Sequence, residues 1–196
     1  MIRRSPHYPL RHEGFTLIEL IITIAVTAII TYTTASNWRS VIDSTASRGV
    51  QSLLTQSFAD ARSHAVKANV TTTLCPLDNN LICSSNWGGP ITVFSDPDND
   101  RALTSKTELI QVHPSIPAGT VTASNSGPSE RRYFQYNPDG SAKGTIGNIV
   151  WCPESGDATK AIQLRMNFGG RITWATDSDG DGIREDSHKQ RLTCGA

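Results

Sequence analysis

The sequence predicts an α+β protein in which a long N-terminal helix is packed on a head of antiparallel β-sheet. Three observations carry that class. From Phe15 to Arg48 no Gly or Pro interrupts the chain, and its first stretch, Phe15 to Ala35, holds no Lys or Arg. Beyond Trp38, the residues Ala46, Val50, Leu54, Phe58, Ala61 and Ala65 recur at three- and four-residue spacing, the stripe of an amphipathic helix. From Thr71 the period shortens, and β-prone runs alternate with clusters of Asn, Asp, Pro and Gly. The length of 196 residues fits one ordinary domain with a helical extension. The 18 basic and 18 acidic residues cancel, so no global field draws the chain to nucleic acid or anionic membrane.

Residues 1–14 are polar, with Arg3, Arg4 and Arg11 against Glu13. Residues 15–35 contain two ionisable side chains, Glu19 and Tyr32. A helix of about 20 residues rising ~1.5 Å each covers roughly 30 Å, enough for one membrane span. Thr16, Thr23, Thr27, Thr31, Thr33 and Thr34 dilute its hydrophobicity, so its last turn or two is expected at the interface. Arginines before the span and none directly after it favour a cytoplasmic N-terminus. Residues 36–68 continue the helix as its amphipathic half, with Leu53 widening the stripe and Arg48, Gln51, Asp60, Arg62 and Lys67 off it. Gly49 weakens that half by roughly 1 kcal/mol, tolerable in a packed helix.

Residues 69–196 form the head. Expected strands are Thr71–Cys75, Ile91–Ser95, Glu108–His113, Arg132–Asn137, Ile149–Cys152, Ala161–Asn167 and Arg171–Thr176. Tight turns fall at Pro97–Asp100, Asn125–Pro128, Asn137–Gly140 and Asn167–Gly170. Trp87, Trp151 and Trp174 are expected to fill the core between sheet and helix.

Cys75, Cys83, Cys152 and Cys194 allow three disulfide connectivities. The favoured pairing is Cys75–Cys83, which closes a small loop, with Cys152–Cys194 tying the C-terminus to a core strand. No CxxC pair or His cluster suggests zinc, so an oxidising compartment follows.

The run Gly14-Phe15-Thr16-Leu17-Ile18-Glu19 resembles the class III signal of type IV pilins and pseudopilins. An ordinary secretory signal fits less well, because no clear small-x-small cleavage site follows the apolar core. Three head segments extend the resemblance. Residues 75–100 (Cys-Pro entry, Trp-Gly turn, Asp-rich turn), 134–152 (Asn-Pro-Asp-Gly turn, Cys-bearing strand) and 166–174 (closing Gly-Arg strand) resemble minor pilins of the GspH/FimT type. The resemblance implies a type IV pilin-like fold. It also implies cleavage by prepilin peptidase between Gly14 and Phe15 and N-methylation of Phe15. Glu19 would then face the N-terminal amine of a neighbouring subunit and set the helix register. Implied partners are other minor pilins, a major pilin, prepilin peptidase and the inner membrane, with the head in the periplasm or at a pilus tip. Many pilins kink the apolar segment with Pro; here Ser36 stands near that point.

Motifs for enzymes are missing: there is no G-x-S-x-G elbow, P-loop, zinc-protease helix or dinucleotide fingerprint. No cofactor is expected. Asp177, Asp179 and Asp181, with Gly182, resemble the first half of an EF-hand loop. The twelfth position from Asp177 is His188 where a bidentate carboxylate is needed, with Glu185 and Asp186 close but out of register, so the spacing argues for a solvated hairpin turn. The Asp96–Asp100 turn is a weaker candidate. Some members of the resembled family bind DNA through Gly-Arg-x-Arg. Gly170, Arg171, Ile172 and Thr173 keep the first Arg alone, which makes DNA a weak partner. The expected function is pilus assembly or initiation, with an H-type secretion pseudopilin and a DNA-uptake pilin as alternatives.

Overall fold

The computed structural model of the chain describes residues 14–195 apart from Pro117, Gly127, Pro128 and Thr145, with only the backbone described for residues 32–37 and Ser126. The leader assigned to residues 1–14 therefore lies outside the described residues except for Gly14. The chain divides into two compact units, Met1–Arg39 and Ser40–Ala196.

Helix α1 runs over Leu17–Ala68. It ends on a left-handed residue, Asn69 at φ 53°, and the Val70 N–H returns to the Ala65 carbonyl at 3.2 Å. That 6→1 bond satisfies an end carbonyl, and Asn tolerates the positive φ better than most residues. In the first unit the hydroxyls of Thr23, Thr27 and Thr31 bond back to carbonyls three and four residues earlier, at 2.8–3.0 Å. These three threonines thus spend their polar groups on their own backbone.

Among the described residues the second unit contains ten strands. They are β1 (Thr72–Pro76), β2 (Ile91–Ser95), β3 (Leu109–His113), β4 (Thr120–Ala123), β5 (Asn125–Ser126), β6 (Ser129–Glu130), β7 (Phe134–Tyr136), β8 (Gly147–Cys152), β9 (Ile162–Met166) and β10 (Ile172–Trp174). One four-stranded sheet has the order β3-β2-β1-β7, a second the order β10-β9-β8-β4, and β5 pairs with β6. Every neighbouring pair is antiparallel.

The amphipathic half of α1 packs on both larger sheets. Val50, Leu54, Phe58, Ala61 and Ala65 share one core with Leu74, Ile91, Val93 and Phe134 of the first sheet and Ile149, Trp151, Ile162, Leu164 and Met166 of the second. Phe58 meets the Phe134 ring edge-on at 5.0 Å between centroids, and Trp87 meets the same ring at 5.4 Å. Trp87 is buried and donates to the Arg131 carbonyl at 2.7 Å. Trp151 is fully buried, whereas Trp174 is partly buried and packs at the core margin.

The first sheet is covered on its other face as well. Cys75, Cys83 and Phe94 form a satellite core with Leu77, Leu103 and Tyr133. This is why all five residues of β1 are buried instead of alternating. Asp96, at the start of the Asp96–Asp100 turn, is buried, while Asp98 and Asp100 are exposed. Asp96 is 1% exposed and accepts from Thr73 Oγ1 at 2.6 Å, Gln135 Nε2 at 2.9 Å and the Asp100 N–H at 3.0 Å. Its carboxylate is engaged by protein donors.

Strand β4 stands where the sequence suggests no element, and the β5–β6 hairpin where it suggests only a turn. β4 is the edge of the second sheet, its residues Thr-Val-Thr-Ala alternating between exposed and partly buried. A four-residue edge strand without a large apolar side chain carries little periodic signal. The structure joins Cys75 to Cys83 and Cys152 to Cys194, with Cα–Cα separations of 5.5 and 5.6 Å.

Candidate functional site

The start of α1 is an exposed apolar surface with one carboxylate. Phe15, Leu17 and Ile18 are 80%, 77% and 65% exposed, and Leu20, Ile21, Ile22, Ile24, Val26, Ile29 and Ile30 continue the surface along the helix. Thr16 caps the helix, its Oγ1 accepting the Glu19 N–H at 3.3 Å. Thr16-x-x-Glu19 is the spacing of a capping box, and Glu19 lies in the first turn, where the helix dipole favours an anion. Thr16 was not singled out by sequence reasoning, although the S/T-x-x-E pattern was legible.

Gly14 directly precedes this cap. Among the described residues, a Cβ built on it meets nothing within 4 Å. Among the described residues, no helix is long and apolar enough to cross a membrane by mean hydropathy. The back-bonded threonines lower that average.

In the second unit, Gly170 and Arg171 sit on the turn between β9 and β10. Gly170 adopts φ 70°, and a Cβ there would collide with the Gly140 carbonyl oxygen and approach Tyr136 Cε1 to 2.9 Å. The glycine is therefore needed for close contact between this turn and the Asn137–Gly140 turn. Arg62 of α1 clamps the two. Its Nε donates to the Gly140 carbonyl at 3.0 Å and its Nη2 to the Gly169 carbonyl at 3.1 Å. Position 62 falls off the apolar stripe, and its role became visible only when the two turns met. Arg62→Ala should cost about 1 kcal/mol through the two lost bonds, which urea denaturation measures as a lower midpoint at unchanged m-value.

Arg171 itself is exposed, and its backbone is fixed by Asn167, whose Oδ1 accepts the Arg171 N–H at 3.0 Å. Two nearby cations are already engaged. Arg184 donates to the Ala161 carbonyl at 2.8 Å, and Arg191 pairs with Asp181 at 2.5 Å and Asp179 at 3.7 Å. Thr173 lies opposite Arg165 across the β9–β10 ladder. The head should therefore show no saturable duplex binding in a mobility shift near physiological salt. Thr173→Arg should strengthen low-salt binding by adding a cation between Arg171 and Arg165, while Arg171→Ala should weaken it.

The loop after β10 gathers four carboxylates. One oxygen from each of Asp177, Asp179, Asp181 and Glu185 lies within 4.8 Å of the others. The Gly180 and Gly182 N–H groups donate to Asp177 at 2.7 and 2.8 Å and hold its carboxyl below the usual carboxylate range. Glu185 joins this group from the ninth position of the loop.

Comparison with known proteins identifies the family. The family model described as type II transport protein GspH matches residues 51–170. The chain belongs to the GspH family. The prokaryotic N-terminal methylation motif matches residues 10–31, across Gly14, Phe15 and Glu19. Together these make it a GspH/FimT-type member of the minor pilins and pseudopilins. None of the curated proteins compared matches the chain. Among solved structures, the Pseudomonas aeruginosa type IV minor pilin FimU is similar at 17% identity and TM-score 0.43, covering 83% of this chain and 99% of its own. A second crystal form of FimU gives TM-score 0.45, with 77% and 98% covered. The Vibrio cholerae minor pseudopilin EpsH is similar at 9% identity and TM-score 0.42, with 69% and 96% covered.

Proposed function

We propose that this GspH-family chain is a minor pilin that enters a type IV pilus at its initiation or tip. It would be cleaved between Gly14 and Phe15 by prepilin peptidase and anchored in the inner membrane by residues 15–35. The head would lie in the periplasm or at the cell surface. The observation that carries the reading is the methylation motif over residues 10–31, placed on an exposed helix start.

The physical chemistry of that start supports the role. Among the described residues, Gly14 has no packing reason to be glycine, so the demand for it is assigned to the peptidase cleft. Cleavage would create a positive amine at Phe15, at the helix end where the dipole disfavours a cation. Glu19 supplies the compensating carboxylate, either within the chain or, as the family resemblance implies, for the amine of the adjacent subunit. The neighbours implied are other minor pilins and the major pilin.

The description of the family as a type II transport protein favours a second reading, an H-type pseudopilin of a secretion system. An in-frame deletion separates the two. Loss of surface pili with secretion intact supports the pilus; normal pili with the secretion substrate retained in the periplasm supports the pseudopilin. In either case Gly14→Glu should leave an unprocessed precursor in the membrane, seen as a slower band in immunoblots.

A further inference from the structure

Glu185 is buried in a way the rest of the fold does not account for. It is 6% exposed, and its Oε2 accepts from the Ser178 N–H at 2.7 Å and the Ser178 hydroxyl at 2.8 Å. Its Oε1 is buried without a hydrogen-bond partner. A carboxylate oxygen removed from water with no hydrogen-bond partner to replace the lost hydration is costly. The backbone leaves it no escape: Glu185 bridges Thr176 on one side and Arg191 on the other, and its N–H donates to the Thr176 carbonyl at 3.1 Å.

One carboxylate oxygen of Glu185 lies within 4.8 Å of one from each of Asp177, Asp179 and Asp181. Four formal negative charges this close repel one another and call for a cation. Arg191 provides one positive charge, through Asp181 and Asp179, and its side chain is 59% exposed. It has no bond to Glu185 Oε1, which remains orphaned, and three formal negative charges remain unmatched.

We propose that the loop is a calcium site in which Asp177, Asp179, Asp181 and Glu185 supply carboxylate oxygens, with the buried Glu185 Oε1 as the innermost ligand. Calcium takes six to eight oxygens at about 2.3–2.6 Å, so ligands on opposite sides of the ion stand about 4.8 Å apart. The four oxygens fit that sphere. Magnesium demands tighter octahedral geometry and keeps much of its water, which suits a four-carboxylate loop less well. The sequence argument against calcium rested on His188 at the twelfth position. In the fold the His188 N–H donates to Asp186 Oδ1 at 2.7 Å, within a separate turn. Glu185 at the ninth position supplies the carboxylate that the twelfth lacks.

Calcium titration of the purified full chain in detergent, stripped first with chelator, tests this. Calorimetry should show one calcium per chain with Kd on the order of 10⁻⁴ M, in the range of extracellular calcium modules. At ~10 mM calcium the Tm should rise by about 5 °C, and far less with magnesium. Glu185→Gln keeps the acceptor for Ser178, so its Tm in chelator should equal or exceed that of the wild type, while calcium affinity falls about tenfold or more. Asp179→Ala, at an exposed position, should lose binding likewise. Arg191→Ala should bind at least as tightly, because a competing cation is gone. No saturable calcium binding in both the wild type and Arg191→Ala would overturn the site. So would binding undiminished in Glu185→Gln or, should that variant not fold, in Asp179→Ala.

Discussion

Glu19→Ala is expected to be cleaved after Gly14 like the wild type and yet to be missing from the fibre. A carboxylate within hydrocarbon costs roughly 3 kcal/mol, a cost tolerated when a partner charge offsets it. In the proposed assembly that partner is the methylated amine of Phe15 on the next subunit. Removing Glu19 leaves the amine in a low-dielectric setting without its counter-ion, and breaking a buried pair costs more than the pair contributes. The amount of chain in sheared fibres should fall at least about tenfold, with precursor processing unchanged. Helix formation should survive, because Thr16 still caps the first turn through the backbone N–H of residue 19. Wild-type amounts of the variant in the sheared fraction would remove Glu19 from assembly.

Phe58→Ala should produce the largest loss of stability in the second unit. Phe58 is 1% exposed, and its ring lies edge-on to Phe134, which in turn contacts Trp87. Truncation removes the bridge between the helix stripe and the first sheet and leaves a cavity that fixed strands cannot fill. Phe→Ala in a core costs about 3–5 kcal/mol. For a chain of this size that lowers Tm by roughly 10 °C, measurable by circular dichroism. Phe58→Leu, which keeps most of the volume, should recover much of it. A Tm for Phe58→Ala within a degree or two of the wild type would contradict the packing of α1 on the sheets.

The parts of the fold legible in the sequence were those with a strong period. The helix stripe from Val50 to Ala65 and the buried strands around Ile91 and Ile162 carry runs of apolar residues that local rules can read. β4 was invisible because Thr120–Ala123 is a polar edge strand, specified by pairing with β8 and not by its own composition. Arg62 and Glu185 were illegible for a different reason. Arg62 matters because two turns, at Gly140 and Gly169, arrive together beneath it. Glu185 was noted as out of register for an EF-hand, a judgement that presumed the twelfth-residue rule. In the proposed calcium site, the bridge from Thr176 to Glu185 brings in a carboxylate from the ninth position. The N-terminal motif was readable because its chemistry is carried by consecutive residues, Gly14 to Glu19.

The most direct test of the proposed role is mass spectrometry of the chain recovered from sheared surface fibres. The account predicts an N-terminal peptide beginning at Phe15 with one added methyl group on its amine, found in the fibre fraction. A chain retaining Met1 in the fibres, or one beginning at any residue other than Phe15, would contradict it.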